Sequence, residues 1–323
     1  MAIASLFRVS ALSVIAICGL VAMDQVAPGI FVAEAVAQDK PKKDTRETRR
    51  TPALRNKVYE RLAEAQTLAE AKDYAGAAAI LNDMISEDGK RALNSYELAN
   101  VYNLHAFLSY AKEDYPQSLR YYEQVIAQPD IPLAMEINTR FTIAQLYFVQ
   151  EKWQQGIDAL LMWFEMNEKP NAGAYVLLAQ GYYQVKRYDL ALDNVETAIA
   201  MHEGEGKLPK EQWYNLARFL YFDKEDFDSA LDVLNTLIIY YPKKQYWVQA
   251  SHLYGEKKDE PRQLALMEAA YEQGFLDRSS ELVTMAYLYL NAEAPYYAGA
   301  VIEKGFSDEL VDDKSKNYEL AGS

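Results

Sequence analysis

The sequence predicts an all-α fold built from repeated helical hairpins, and three observations carry that prediction. Small residues recur in pairs twelve positions apart, in six places, once with one extra residue. The second members of these pairs recur along the chain at intervals typical of a two-helix repeat. Pro132, Pro170, Pro209 and Pro242 fall in the gaps between pairs, where they cannot break a helix. Two antiparallel helices cross closely only where both carry small side chains, so a fixed small-to-small interval marks a fixed crossing.

The pairs are Ala65 with Ala77, Ala106 with Ser118, Ala144 with Gly156, Ala179 with Ala191, Ala217 with Ala230, and Ala286 with Ala298. A bulky aromatic stands at each turn: Tyr74, Tyr115, Trp153, Tyr188 and Phe227, with Pro295-Tyr296 in the last. A weaker unit lies before the last pair. Trp247, Tyr254 and Ala270 fall in register there, but Gln263 occupies the small position of the second helix. Those second-helix marks, at 77, 118, 156, 191, 230, 263 and 298, are 33 to 41 residues apart. This is the spacing of the tetratricopeptide (TPR) repeat, two helices in about 34 residues. The fold predicted is a TPR-type helical-hairpin solenoid of about seven repeats over 57–323, with Tyr147 and Tyr182 in its core. Asn317 to Ser323 reads as the opening of an eighth repeat, cut short by truncation.

The chain is acidic, and its charge is unevenly placed. Formal net charge is −14 over 323 residues. Residues 38–57 hold eight basic groups against Asp39, Asp44 and Glu47, and 58–323 carry −18. An acidic body repels phosphate backbones, so nucleic acid is excluded as a partner. The 38–56 stretch, with Pro41 and Pro52, reads as a basic flexible arm. It is either a solvated tether or a docking arm for acidic surfaces, whether protein or anionic lipid.

Residues 1–37 read as an export signal. Arg8 supplies the positive start, Val9 to Met23 is uncharged, and Ala35-Val36-Ala37 fits the small-x-small cleavage pattern. The rival reading is an uncleaved anchor in the inner membrane. Cys18 is the only cysteine and lies inside this segment, so the exported chain has neither disulfide nor thiolate metal site. No second long apolar run follows, so no transmembrane span remains after cleavage. The location predicted is the periplasm.

Partner binding is expected on the first helix of each hairpin (helix A). Positions three before, one after and four to five after the small residue share one helix face. The candidates are Asn103, Phe107 and Tyr110; Phe141, Gln145 and Phe148; Gln180 and Tyr183; Tyr214, Arg218 and Tyr221; then His252 and Tyr287. Such an aromatic and amide-rich wall suits an extended or helical peptide. Only Asn103 and Arg218 resemble the Lys/Asn/Arg ring with which some TPR modules grip a peptide carboxylate, and they stand three repeats apart.

No catalytic or cofactor motif occurs. His105 reads as packed, and His202 as a helix-end residue favoured by the dipole. Gly204-Glu205-Gly206-Lys207 lacks phosphate-loop spacing and reads as a turn. Asp223, Glu225, Asp226 and Asp228 lack the glycine and closing glutamate of a calcium loop. The chain therefore reads as a non-enzyme without cofactor or metal.

Thr48 to Tyr59, leading into Ala65 and Ala77, together with the array resembles the periplasmic TPR proteins found with TonB–ExbB–ExbD systems of marine gammaproteobacteria. The resemblance implies an accessory partner of the inner-membrane motor, assisting uptake of iron-siderophore and similar substrates through outer-membrane receptors. It implies TonB, ExbB or ExbD-type proteins as partners, and it carries over no catalytic residue. The chain departs from that family in stopping early. The alternative is a scaffold for outer-membrane assembly or peptidoglycan machinery; an enzyme ranks last.

Overall fold

The computed structural model describes residues 52–129, 131–312 and 314–322. The export signal, Cys18 and most of the basic arm lie outside them. Among the described residues there are fifteen α-helices and no strand. Fourteen form seven hairpins: α1 (Asn56–Glu70) with α2 (Tyr74–Ser86), α3 (Ser95–Ala111) with α4 (Tyr115–Ile126), and α5 (Leu133–Val149) with α6 (Trp153–Met166). Next come α7 (Ala172–Gln184) with α8 (Tyr188–Gly204), α9 (Glu211–Asp223) with α10 (Phe227–Tyr240), and α11 (Lys244–Glu256) with α12 (Glu260–Glu272). The seventh pairs α13 (Ser279–Asn291) with α14 (Pro295–Ser307), and α15 (Ser315–Ala321) follows. The chain divides into two compact units, Met1–Asn194 and Val195–Ser323.

One turn design makes every hairpin. Helix A ends on a residue in the left-handed region: Lys72, Glu113, Glu151, Lys186, Glu225, Lys258 and Glu293, all with φ between 56° and 62°. The next N–H then reaches back five residues, as Asp73 does to the Leu68 carbonyl (2.8 Å) and Asp226 to that of Tyr221 (3.0 Å). This satisfies a carbonyl that the helix end would leave without a partner. The residue making that bond also starts the second helix. Asp73, Asp114, Asp226 and Asp259 each accept from the N–H three positions on. Glycine would adopt the left-handed backbone without strain, yet lysine and glutamate fill all seven positions.

Ring pairs five residues apart lock several turns from outside. Tyr110 meets Tyr115 at 5.6 Å, Phe148 meets Trp153 at 6.2 Å, and Tyr183 meets Tyr188 at 5.8 Å. Phe222 and Phe227 do the same at 6.4 Å. In the seventh hairpin Pro295 takes the first helical position, so the contact moves on to Tyr297, which stacks on Tyr289 at 5.5 Å. Tyr296 is left 81% exposed.

The predicted crossings are buried. Ala65, Ala77, Ala106, Ser118, Ala144, Ala230, Ala286 and Ala298 are sealed from solvent. Ser118 keeps its polarity satisfied by donating to the Ala106 carbonyl across the crossing (2.8 Å). The first unit builds its core around Leu62, Leu81, Met84 and Val101, and around Tyr122, Val125 and Leu146. In the second, Leu234, Leu237 and Tyr246 form one cluster and Leu282, Met285 and Ile302 another. Tyr182 is core as predicted, while Tyr147 is half-buried.

Leu54 and Arg55, at the end of the stretch expected as a basic arm over 38–56, pack on the body. Leu54 packs on the cores of the first two hairpins. Arg55 donates its backbone N–H and guanidinium to Glu97, whose side chain is wholly buried. Glu97 also accepts from the Asn94 N–H in the capping box of α3. A buried carboxylate needs such a counter-charge, which pins the entry of the chain. At the other end, Asn317 to Ala321 lie in α15, which packs back on α14. The Tyr318 ring stacks on Phe306 at 4.6 Å, and the Ala321 carbonyl lies over Gly299.

Candidate protein-interaction surface

The helix-A residues singled out in the sequence separate into three groups. Phe148 and Tyr214 are 7% and 4% exposed, so a partner cannot reach them. Their assignment to a binding wall is corrected to packing. The Phe148 ring fills space left by Gly156 on its partner helix and by Gly181 on α7; a Cβ at Gly181 would stand 2.6 Å from that ring. Tyr214 is buried, and its hydroxyl donates to Glu203 (2.7 Å). Burial and that carboxylate hold its phenol well above the ordinary range.

Asn103, Phe107, Tyr110, Phe141, Gln145, Gln180, Tyr183, Arg218 and Tyr221 are half-buried. Phe107 leans on the core of the first hairpin, and Phe141 lies 4.8 Å from Trp163 of its own hairpin. The Tyr221 hydroxyl donates to Glu196. His252 and Tyr287 are exposed, the latter by 48%.

In the second unit the structure adds a polar seam between α9 and α11. Arg218 donates from Nε and Nη2 to Asn215 Oδ1 (3.3 and 3.1 Å) and from Nη1 to Gln249. Its guanidinium carbon sits 5.8 Å from the Tyr246 ring centre and 5.9 Å from that of Phe222. Asn215 donates to the Tyr246 hydroxyl (2.8 Å), which donates in turn to Glu211. Lys243 holds Glu211 from the other side (2.7 Å). No carboxylate among the described residues touches Arg218. Burial pushes its pKa below the usual guanidinium range, with Tyr246 opposing. The nearest acid in the seam, Glu211, is already shared between Lys243 and Tyr246. The sequence reading missed Asn215, Tyr246 and Gln249. Arg218 and Gln249 stand 31 residues apart, a signal that searching each repeat against the next would have found.

The remaining titratable candidates are placed in packing. His105 is buried and stacked 4.7 Å from Tyr121, and its pKa is lowered to about 4 by burial and then by the Lys112 charge. His202 lies in the last turn of α8 with its ring 4.5 Å from Trp213. The Gly204–Lys207 stretch is a turn, closed by the Lys207 N–H on the His202 carbonyl (2.9 Å). Of the acidic run, Glu225 and Asp226 make the α9–α10 turn and Asp228 pairs with Lys257. Among the described residues no group of three acids, histidines or cysteines could hold a metal. No described helix is long and apolar enough to cross a membrane.

Repeated hairpins, small crossings and one shared turn define a TPR-type helical array. Solved structures of similar fold include a tetratricopeptide repeat protein from Parabacteroides merdae, 14% identical with a TM-score of 0.46, over 82% of this chain and 97% of that one. MamA is similar at 18% identity and TM-score 0.44, over 55% of this chain and 91% of its own. So is YrrB, described as a TPR protein with an unusual peptide-binding site, at 14% and 0.44 over 66% and 97%. No family model and no curated protein matches the chain.

Proposed function

We propose that this chain is a non-catalytic periplasmic scaffold that holds a partner protein or peptide on its helix-A faces, as an accessory of a TonB–ExbB–ExbD-type system serving outer-membrane uptake. The binding part rests on one observation. Arg218 is a half-buried cation set among amides and rings without a carboxylate. A partner acid reaching it would gain a charge-assisted hydrogen bond, about 1.5–3 kcal/mol, in a place where water is already largely excluded. Half-buried Gln249, already in contact with Arg218, gives that acid a neighbour able to hydrogen-bond a peptide backbone. The export part is supported by the leader pattern over 1–37, and the TonB part by the resemblance over Thr48 to Tyr59.

Affinity capture from envelope extracts, with identification of the bound proteins, tests this reading. Arg218→Gln with Phe107→Ala and Phe141→Ala serves as the control; Tyr214 is left intact because it is core. TonB- or ExbB-like proteins bound by the native chain and lost in the control are the expected result. Outer-membrane assembly factors or cell-wall enzymes in their place would overturn the transport role and leave an envelope scaffold.

A further inference from the structure

A cavity of about 220 Å³ opens in the first unit, where the start of α1 faces the end of α2 and the turn at Gly89–Arg91. Its floor is apolar: Val58 and Met84 are buried and Leu93 partly so. Its walls are basic, which is out of character for a body carrying −18. Two of the four cations are committed. Arg55 holds Glu97 and the Ala92 carbonyl (2.8 Å). Arg61 holds Asp83 (2.6 Å) and Glu87 (3.1 Å), and Glu87 is the only acid in the lining. The other two, Lys57 and Arg91, are exposed and have no acidic partner among the described residues.

The size and chemistry of this cavity restrict its occupant. Pockets that enclose a whole small molecule run to about 300–1,000 Å³, so this one takes a part of a larger ligand. An apolar floor under uncommitted cations fits an apolar side chain with carboxylates beside it. The chain's own upstream segment is a poor occupant, because Lys40, Lys42, Lys43, Arg46, Arg49 and Arg50 would be repelled. We infer that the cavity at the first hairpin is a binding site for an acidic segment of a partner protein, which inserts one apolar side chain over Val58 and Met84 and sets its carboxylates against Lys57 and Arg91. The site is separate from the Arg218 seam and does not depend on it.

The test uses the full exported chain and a dye-labelled pentapeptide, leucine flanked by two glutamates on each side, read by fluorescence anisotropy. Saturable binding is expected. It should weaken about tenfold when alanine replaces the leucine, and about fivefold or more in Lys57→Ser with Arg91→Ser. It should also weaken as salt rises from 0.05 to about 0.5 M. Binding lost in Arg218→Gln and kept in Lys57→Ser with Arg91→Ser would place the probe on the helix-A face and overturn the inference, which separates failure here from failure of that reading. Equal binding of the leucine and alanine probes would overturn the inference, as would binding unchanged in the double variant. Binding to phosphatidylserine vesicles without binding to the peptide would also overturn it and make the site a membrane contact.

Discussion

The third and sixth hairpins solve one packing problem in opposite ways. In the third, Ala144 crosses Gly156, and the residue four after Ala144 is Phe148, whose ring fills the space above the glycine. In the sixth, the large residue is on the second helix. Gln263 stands where Gly156 does, and Gly255 stands where Phe148 does, with the Gln263 amide folded over it. Ser251 at the crossing donates to the Gln263 carbonyl (3.4 Å). What the two share is the volume at the crossing, not the identity of its residues. Interiors are packed to near-constant density, so a bulky side chain on one helix requires a void on the other.

The largest break in this symmetry comes from emptying the third crossing. Phe148→Ala leaves a cavity between two glycines and should cost about 3–5 kcal/mol, seen as a lower urea midpoint with unchanged slope. Acid should sharpen the contrast between units, because His105 and Glu97 both lie in the first. The folded state holds the His105 pKa at about 4, below its ordinary 6.5, so the unfolded chain binds a proton that the folded one refuses. Stability therefore falls as pH drops from 6.5 to 4, by roughly 3 kcal/mol. His105→Phe should flatten denaturant midpoints measured across that window. Glu97 adds a second loss lower down. Burial works against its charge but is outweighed by hydrogen bonds from Arg55 and the Asn94 backbone, so its pKa is lowered. That contribution is lost as pH falls below about 4.3.

A matched pair of alanines tests the opposing solutions directly. Gly181→Ala drives a Cβ into the wedged Phe148 ring and Ile157, and should cost about 1–3 kcal/mol. Gly255→Ala meets only the terminal amide of Gln263, which can swing away. The helical gain of alanine over glycine, about 1 kcal/mol, should then make it neutral or stabilising. A loss above 1 kcal/mol for Gly255→Ala would show that the amide is as fixed as the ring. The smallest effect is expected at a turn. Glu113→Gly relieves a left-handed backbone at φ 60° and should raise the melting temperature slightly, for a gain of at most about 1 kcal/mol.

Much of this fold was legible because its rules are local. The twelve-residue interval located the crossings, while the helix caps Asp73, Asp114 and Asp226 stand one residue before the turn aromatics Tyr74, Tyr115 and Phe227 and went unread. The burial of the helix-A candidates was legible only in outline. Helix periodicity places Phe148 and Tyr110 on equivalent positions, four after Ala144 and Ala106, yet one is buried and the other half-open. The difference is Gly181, a residue of the next hairpin that no within-repeat pattern mentions. The Arg218 seam failed for the same reason, since its partners lie on two helices and become neighbours only when consecutive hairpins stack. The expectations for residues 1–51 concern a part of the chain outside the described residues.

The seven turns have a mechanical consequence. Each closes through a bond spanning five residues, so a hairpin can zip up without waiting for distant parts of the chain. The same independence should govern how the molecule comes apart. Held at both ends and stretched, it should give way as a ratchet, paying out chain in steps of about one hairpin, roughly 34 residues each. A load would then be met by a graded series of small yields and not by a single rupture.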